Sequence, residues 1–149
     1  MNLDLFVWLV FLVVMSWVVL HRGASSTSTS TAHTAVIEIK GEIDADGLAG
    51  SSAVVTSLRS AFEDEGSQAV VLLINSPGGS PVQAGIINDE IARLKKKHNK
   101  PVYAVVEESC ASAAYYIAVA ADQIYVDKAS IVGSIGVLMD GFGFTGLMD

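Results

Sequence analysis

Hydrophobic and polar residues alternate along the chain with two different periods, and the switch between them predicts strands and helices in turn. Residues 35–39 alternate apolar and polar side chains, as a half-buried strand does, and residues 69–74 form a continuous apolar run typical of a strand buried on both faces. Residues 52–62 and 82–94 instead place apolar side chains at helical spacing. The pattern therefore predicts two successive strand and helix pairs.

The same alternation continues in the second half of the chain. A third strand is predicted at residues 102–106, then a helix from about residue 112 to residue 121, and a short strand at residues 123–126. Strands that alternate with helices favour right-handed crossovers and a mostly parallel sheet, so the predicted fold class is α/β. Ligands bind beyond the carboxyl ends of the strands in such sheets. The turns that follow the second and third strands are therefore expected to converge.

An apolar segment and a polar segment precede the α/β region. Residues 5–20 contain a single polar side chain, Ser16. They are predicted to form a membrane helix of roughly 24 Å, slightly shorter than a bilayer core. Residues 23–34 are small and polar, which is typical of a flexible linker. The sequence thus predicts a membrane anchor at residues 1–22, a Ser/Thr linker and a domain at residues 35–149.

The residues on either side of the apolar segment indicate whether it is an uncleaved anchor or a cleavable signal peptide, and how it is oriented in the membrane. Asn2 and Asp4 stand where a cleavable signal peptide carries positive charge, which favours an uncleaved anchor. Residues 23–25 still offer small side chains for cleavage, so that alternative stays open. Arg22 follows the segment and, counted literally, would keep that side cytoplasmic, although one arginine is weak support for an orientation.

Composition narrows the classes of partner and cofactor. The net charge of -7 makes nucleic acid a poor partner. Cys110 is the only cysteine, so the chain can form neither an intrachain disulfide nor a thiolate zinc site. We expect no metal and no cofactor.

The turn after the second strand carries paired glycines in the motif NSPGG. Pro77 fixes its own φ and stiffens the turn, while Gly78 and Gly79 can present backbone N–H groups to a ligand at the start of the next helix. An ordinary strand-to-helix turn explains the same residues without any chemistry.

Ser112 lies where the third strand gives way to a helix. Its neighbours are small, so a substrate backbone can reach its hydroxyl, and together with the glycine turn it forms a candidate nucleophile facing an oxyanion hole. Helix capping is an equally good explanation for a serine at this position. Cys110 is an alternative nucleophile, although a small residue that fills the core accounts for it better.

A serine nucleophile needs a base, and the sequence offers poor candidates. His21 and His33 fall in the anchor and the linker, and His98 follows the lysine-rich end of a helix. Lysine is the other known partner of a serine if burial leaves it neutral. Lys128 is the only lysine after Ser112, and the adjacent carboxylate favours its charged form.

Three segments occur in a distinctive order behind the N-terminal apolar run. They are NSPGG after an apolar strand, CASAAYYIA at residues 110–118 and IVGSIGV at residues 131–137. In this combination, residues 35–149 resemble the signal peptide peptidase A family of bacterial serine peptidases. The resemblance implies the Clp protease and crotonase-like α/β superfold. It also implies a serine and lysine dyad in place of a Ser, His and Asp triad.

The resemblance assigns roles to individual residues. Ser112 corresponds to the nucleophile, and Gly78 with the N–H of Ala113 corresponds to the oxyanion hole. The family often has two glycines after the serine, whereas Ala113 and Ala114 stand here, which implies a narrower path for substrate. The positions that correspond to the substrate-binding region are Gly79, Ser134 and Ile135.

One departure from the family concerns the base. In single-domain members the lysine lies several tens of residues beyond the GSIGV stretch, and no lysine follows that stretch here. We therefore expect this polypeptide to be a fragment or a truncated reading frame of a membrane-anchored peptidase, inactive by itself.

The function expected from these observations is hydrolysis of signal peptides or other membrane-associated peptides through an acyl-enzyme on Ser112. The resemblance implies a homo-oligomer in the bacterial plasma membrane, with contact to lipid through the anchor and the domain on the extracytoplasmic side. Two alternatives remain open at this stage: a catalytically silent membrane scaffold of the same fold, and a crotonase-like acyl-CoA enzyme.

Overall fold

The structure is a computed structural model that describes residues 8, 10–16 and 31–136. The chain divides into two units, Met1–Thr31 and Ala32–Asp149.

In the first unit, residue 8 and residues 10–16 are helical and their side chains are exposed. None of the helices among the described residues is both long enough and apolar enough to traverse a bilayer. The rest of the predicted membrane helix at residues 5–20 lies outside the described residues, as do residues 23–30 of the predicted linker.

The second unit alternates strands and helices in the predicted order. Its elements are β1 (His33–Lys40), α1 (Ser51–Glu63), β2 (Ser67–Ser76), α2 (Pro81–His98), β3 (Val102–Ala111), α3 (Ala113–Ala118), β4 (Gln123–Tyr125) and β5 (Ile131–Gly133).

All strand pairs are parallel, with the order β1-β2-β3-β4, and β5 pairs with β3 beyond the end of β4. The prediction of an α/β fold with a mostly parallel sheet is confirmed.

Most elements differ from the predicted bounds by a few residues, and β1 begins at His33, inside the predicted linker. The differences at β3 and α3 have an identifiable structural context. β3 continues to Ala111 instead of ending at residue 106, because β5 provides a partner for its last three residues. α3 ends at Ala118 instead of residue 121. Asp122 stops it, since its backbone N–H donates to the Val102 carbonyl at 2.8 Å and its carboxylate accepts from the Val102 N–H at 2.8 Å.

The core lies between one face of the sheet and a single layer of helices. α1 and α3 contact the strands, and α2 contacts both of them. Alternate side chains of the central strands are buried in this layer, which leaves the other face of β1 open at Val36, 58% exposed. The buried sheet residues are Ile37, Ile39, Ser67, Val70, Leu72, Ile74, Ser76, Val102, Ala104, Val106 and Cys110.

A buried carboxylate joins α1 to α2. Glu90 is 8% exposed and accepts hydrogen bonds from Arg93 at 2.6 and 2.8 Å and from Arg59 at 2.7 Å. The hydrogen bonds from Arg93, then those from Arg59, lower the pKa of Glu90 from 4.5 to about 2. The two guanidinium groups therefore hold this carboxylate ionised across the neutral and mildly acidic range.

A lysine holds the end of α1 beside the start of β3. The ammonium of Lys100 donates to the carbonyl oxygens of Ala61 at 3.0 Å, Phe62 at 3.2 Å and Asp64 at 3.0 Å. These carbonyls have no partner further along α1, so the cation satisfies them and complements the helix dipole.

Glu90→Gln is expected to lower the free energy of unfolding at pH 7 by about 1–3 kcal/mol, because the guanidinium groups of Arg59 and Arg93 both lose a charged hydrogen-bond acceptor. The higher free energy of unfolding of the wild type is fully present above the ordinary pKa of 4.5. It is lost as the pH falls from there through about 2, the pKa of Glu90 in the folded protein, where the carboxylate takes up its proton. Urea unfolding of both proteins between pH 7 and pH 2.5, with the exposed Glu65→Gln as control, measures this. A difference between wild type and Glu90→Gln that does not shrink with falling pH would contradict the assignment.

Candidate active site

Ser112 is held in an unusual backbone conformation between β3 and α3. Its φ is 51° and its ψ is -119°, in the region that side-chain-bearing residues rarely adopt. Its N–H donates to the Gly133 carbonyl at 2.8 Å, and its carbonyl accepts from the Tyr116 N–H at 3.0 Å. Both hydrogen bonds fix the sharp change of direction from strand to helix, and strain of about 1–3 kcal/mol is stored there.

The hydroxyl of Ser112 does not cap the helix that it precedes. Ser80, at the same position before α2, accepts a hydrogen bond from the Gln83 N–H at 3.4 Å, as a capping serine does. Ser112 occupies the N-cap position of α3 without a side-chain capping bond. The capping explanation for this serine is therefore not supported, and its hydroxyl remains available for another role.

The backbone of Gly78 lies against the Ser112 turn. A Cβ placed on Gly78, whose φ is +102°, would lie 2.9 Å from the Ser112 Cβ and 2.7 Å from the Ala111 carbonyl oxygen. Only glycine fits at this approach. The turn after β2 and the turn after β3 therefore meet at the carboxyl edge of the sheet, as the parallel topology predicts.

The loop after β1 braces the glycine turn from the other side. The Ile43 N–H donates to the Gly78 carbonyl at 2.9 Å, and the Ser80 N–H donates to the Ile43 carbonyl at 2.7 Å. A Cβ on Gly79, with φ +146°, would lie 2.3 Å from the Ile43 carbonyl oxygen. Gly79 therefore packs against this loop, which leaves little freedom for the whole turn.

The N–H of Gly78 already has a partner. It donates to the hydroxyl oxygen of Ser76 at 3.1 Å, and Ser76 is fully buried. A substrate oxygen would have to share this N–H or replace the serine hydroxyl. In α3 the first helical hydrogen bond is donated by Tyr116, so the N–H of Ala113 precedes the intrahelical ladder.

A cavity of about 480 Å³ opens beside Ser112. Most of its wall is apolar or aromatic, which suits a peptide side chain of the same character. It is lined by Pro81, Ser112, Ala113, Tyr115, Tyr116, Val119, Ile135 and Gly136.

The structure brings together only some of the residues singled out in the sequence. Ser112, Ala113 and Ile135 line the cavity, and Gly78 backs the Ser112 turn. Ser134 is exposed with a φ of 53° and is not among the lining residues.

Sequence reasoning missed the cavity wall formed by α3 and the residue that follows it, Val119. Tyr116 and Val119 are three residues apart, a spacing that places both side chains on one side of a helix and marks them as a shared wall. Ser76 was also missed, because its contact with the Gly78 N–H belongs to the turn geometry and has no sequence signature beyond the motif itself.

None of the candidate bases in the described part of the chain is buried beside Ser112. His33 begins β1 and pairs with Asp64 at 3.3 Å, and His98 ends α2, so both lie at the edge where the strands start. Lys128 is exposed and is not among the residues that line the cavity beside Ser112. His21 lies outside the described residues.

Cys110 is fully buried next to the turn. Burial raises the pKa of its thiol to about 11, so the thiol is protonated at neutral pH and is a poor nucleophile.

Comparisons with known proteins relate this chain mainly to peptidases. The model of peptidase family S49 matches residues 94–149. The chloroplastic serine protease SPPA of Arabidopsis thaliana is 30% identical over 131 residues, 87% of this chain and 19% of that protein. The Na(+)/H(+) antiporter NhaA of Brucella melitensis is 48% identical over 91 residues, 61% of this chain and 12% of that protein.

The chain spans between 12% and 27% of the length of the first curated relatives that it matches. Among solved structures, a mutant of the 1510-N membrane-bound stomatin-specific protease matches 67% of this chain and 46% of its own, with a TM-score of 0.53 and 22% identity. That likeness concerns the fold.

Ser112→Gly is expected to unfold with a free energy about 1 kcal/mol higher than that of Ser112→Ala, since glycine adopts positive φ without the strain that alanine retains. Both variants lack the hydroxyl, so the comparison isolates the backbone. Chemical denaturation of the matched pair measures the difference. An alanine variant as stable as the glycine variant would argue against the left-handed conformation.

Gly78→Ala is expected to be less stable than Gly133→Ala by about 1–3 kcal/mol, the usual cost of forcing an atom into a packed site. The two glycines share a positive φ, but a Cβ on Gly133 meets nothing within 4 Å, whereas one on Gly78 meets the Ser112 turn. Urea unfolding of both variants measures the difference, and equal losses would contradict the close approach.

Proposed function

The chain belongs to peptidase family S49, and from that premise we propose that it carries the nucleophile half of a serine peptidase site. The observation that carries the proposal is the Ser112 turn, where a serine with positive φ lines an apolar cavity and packs against the Gly78 backbone. Sharp, strained strand-to-helix turns are how several hydrolase folds expose a nucleophilic serine.

In the proposed reaction, Ser112 Oγ attacks the carbonyl carbon of a peptide bond and forms an ester, while the hydroxyl proton passes to a base and then to the leaving amine. Water subsequently hydrolyses the ester. The N–H groups of Ala113 and Gly78 stabilise the negative charge on the carbonyl oxygen, each contributing about 3–4 kcal/mol when well placed. For Gly78 this requires the substrate oxygen to share the N–H with the Ser76 hydroxyl or to replace that hydroxyl.

The base in this proposal is a lysine outside the 149-residue sequence. The only lysine after Ser112 in the sequence is Lys128, which is exposed and is not among the residues that line the cavity beside Ser112. The chain by itself is then expected to hydrolyse peptides slowly or not at all.

The proposed substrates are signal peptides or other membrane-associated peptides. The apolar walls of the cavity beside Ser112 support this choice, since they match side chains that membrane segments are rich in. We further propose that residues 1–22 anchor the protein in a bacterial plasma membrane, that residues 35–149 form an extracytoplasmic domain, and that the protein assembles as a homo-oligomer. Support for the anchor is the apolar run at residues 5–20.

A fluorophosphonate probe tests the proposal, because it phosphonylates a serine only when that serine is activated. The chain extended by its downstream genomic reading frame is expected to be labelled, and Ser112→Ala is expected to abolish labelling. The 149-residue chain is expected to be labelled at least about tenfold more slowly, since it lacks a base that contributes about 10²–10⁴-fold. Intact-mass spectrometry over time measures all three rates.

Two results would count against this assignment. Labelling that survives Ser112→Ala would place the nucleophile elsewhere, and an extended chain that is folded but unlabelled would favour a catalytically silent scaffold. Equal labelling of the short and extended chains would refute the external base alone.

A further inference from the structure

A hydrogen bond from the middle of α2 reaches the helix that carries Ser112. Asn88, half-buried on α2, donates from Nδ2 to the backbone carbonyl of Tyr116 at 2.7 Å. The N–H of Tyr116 in turn donates to the carbonyl of Ser112 at 3.0 Å. Two consecutive hydrogen bonds therefore connect Asn88 to the residue that bears the candidate nucleophile.

α2 also carries the other half of the site at its N-terminal end. Ser80 caps this helix directly after Gly78 and Gly79, and Asn88 lies seven residues beyond Pro81, or about 10 Å along the axis. A helix of this length is stiff over that distance. A contact at Asn88 consequently fixes α3 relative to the glycine turn, although the two turns follow different strands.

α3 depends on such contacts because it is short. It has six residues, fewer than a helix needs to be stable on its own. The ring of Tyr116 lies close to α2, since its Cε1 is 4.0 Å from the position that a Cβ on Gly85 would take, an ordinary van der Waals distance. α2 thus accommodates the side chain of Tyr116 and holds its carbonyl, and Tyr116 also lines the cavity beside Ser112.

We propose that Asn88 is a positioning residue that ties α3, and with it the Ser112 hydroxyl, to the helix that begins at the glycine turn. The inference rests on the proposed function, in which Ser112 must sit within bonding distance of a carbonyl held by the Gly78 turn. Asn88 does not touch the substrate, so its effect is on the geometry of the nucleophile.

A matched set of variants separates this role from a general effect on folding. Asn88→Asp keeps the size of the side chain but replaces the donor by a carboxylate facing a carbonyl oxygen. Asn88→Gln keeps an amide donor on a longer stem, and Asn88→Ala provides a second loss of the donor if the aspartate variant folds poorly. Asp89→Ala, on the exposed neighbouring position of the same helix, is the control.

Two peptide probes of one sequence distinguish bonding to Ser112 from occupation of the cavity. One ends in a leucine boronic acid and the other in leucine amide. When the boronic acid binds, Ser112 Oγ forms a B–O bond, boron becomes a tetrahedral anion, and the hydroxyl proton leaves to solvent. The amide can only occupy the cavity. Calorimetry on the 149-residue chain measures both affinities.

We expect Asn88→Asp and Asn88→Ala to weaken binding of the boronic acid at least about tenfold, because small displacements of a reacting group have large effects. Binding of the amide should weaken by a smaller factor, because α3 lines the cavity that the amide occupies but forms no bond with it. Asn88→Gln should recover most of the loss, and Asp89→Ala should change neither affinity. Equal weakening of both probes, or no weakening of either, would overturn the inference.

Hydrogen exchange tests the role of Asn88 independently of whether the proposed function is correct. If wild type and Ser112→Ala bind the boronic acid equally, Ser112 does not bond to boron in the chain that lacks the base. The labelling test on the extended chain then decides on the peptidase proposal, and exchange decides on Asn88 alone. The amides of α3 should exchange at least about tenfold faster in Asn88→Asp than in the wild type if the tether holds the Ser112 turn. Unchanged exchange would overturn the inference whatever the chemistry of Ser112.

Discussion

The contact between the Gly78 backbone and the Ser112 turn is the constraint on which the rest of the site depends. Two strands of a parallel sheet end side by side, and the chain leaves each of them with positive φ. Because a Cβ on Gly78 would lie 2.9 Å from the Ser112 Cβ, the two turns are as close as backbone packing allows. The backbone of Gly78 is thereby packed against the residue that bears the hydroxyl, and that residue, Ser112, lines the cavity.

Three neighbouring segments hold this contact in place. Ile43 clamps the glycine turn, Gly133 accepts the N–H of Ser112, and Asn88 holds the far end of α3 through Tyr116. Each hydrogen bond comes from a different part of the chain, so the geometry of the site is a property of the whole fold. Local hydrogen bonds of this kind contribute about 1 kcal/mol each, and their common effect is to limit the directions in which Ser112 can move.

Much of the fold follows from periodicity alone, because buried strands and amphipathic helices leave clear patterns. The meeting of the Gly78 and Ser112 turns is also predictable, since parallel strands bring their carboxyl ends to one edge. The length of β3 is not, because Glu107 and Glu108 break the apolar run and the end of the strand is held by pairing with β5 and by the pairing of Cys110 with Ser76 of β2. Contacts such as Asn88 with Tyr116, 28 residues apart, depend on how helices pack and carry no local signal.

The backbone strain at Ser112 indicates whether its hydroxyl has a function. A chain that kept this fold only as a scaffold could exchange the serine for glycine, relax the backbone and lose nothing. Gly78 is different, because packing alone demands it in an active enzyme and in an inert relative. Of the two residues, the serine is therefore the one that favours a catalytic role. Glycine at this position would remove the backbone strain, but it would also remove the hydroxyl.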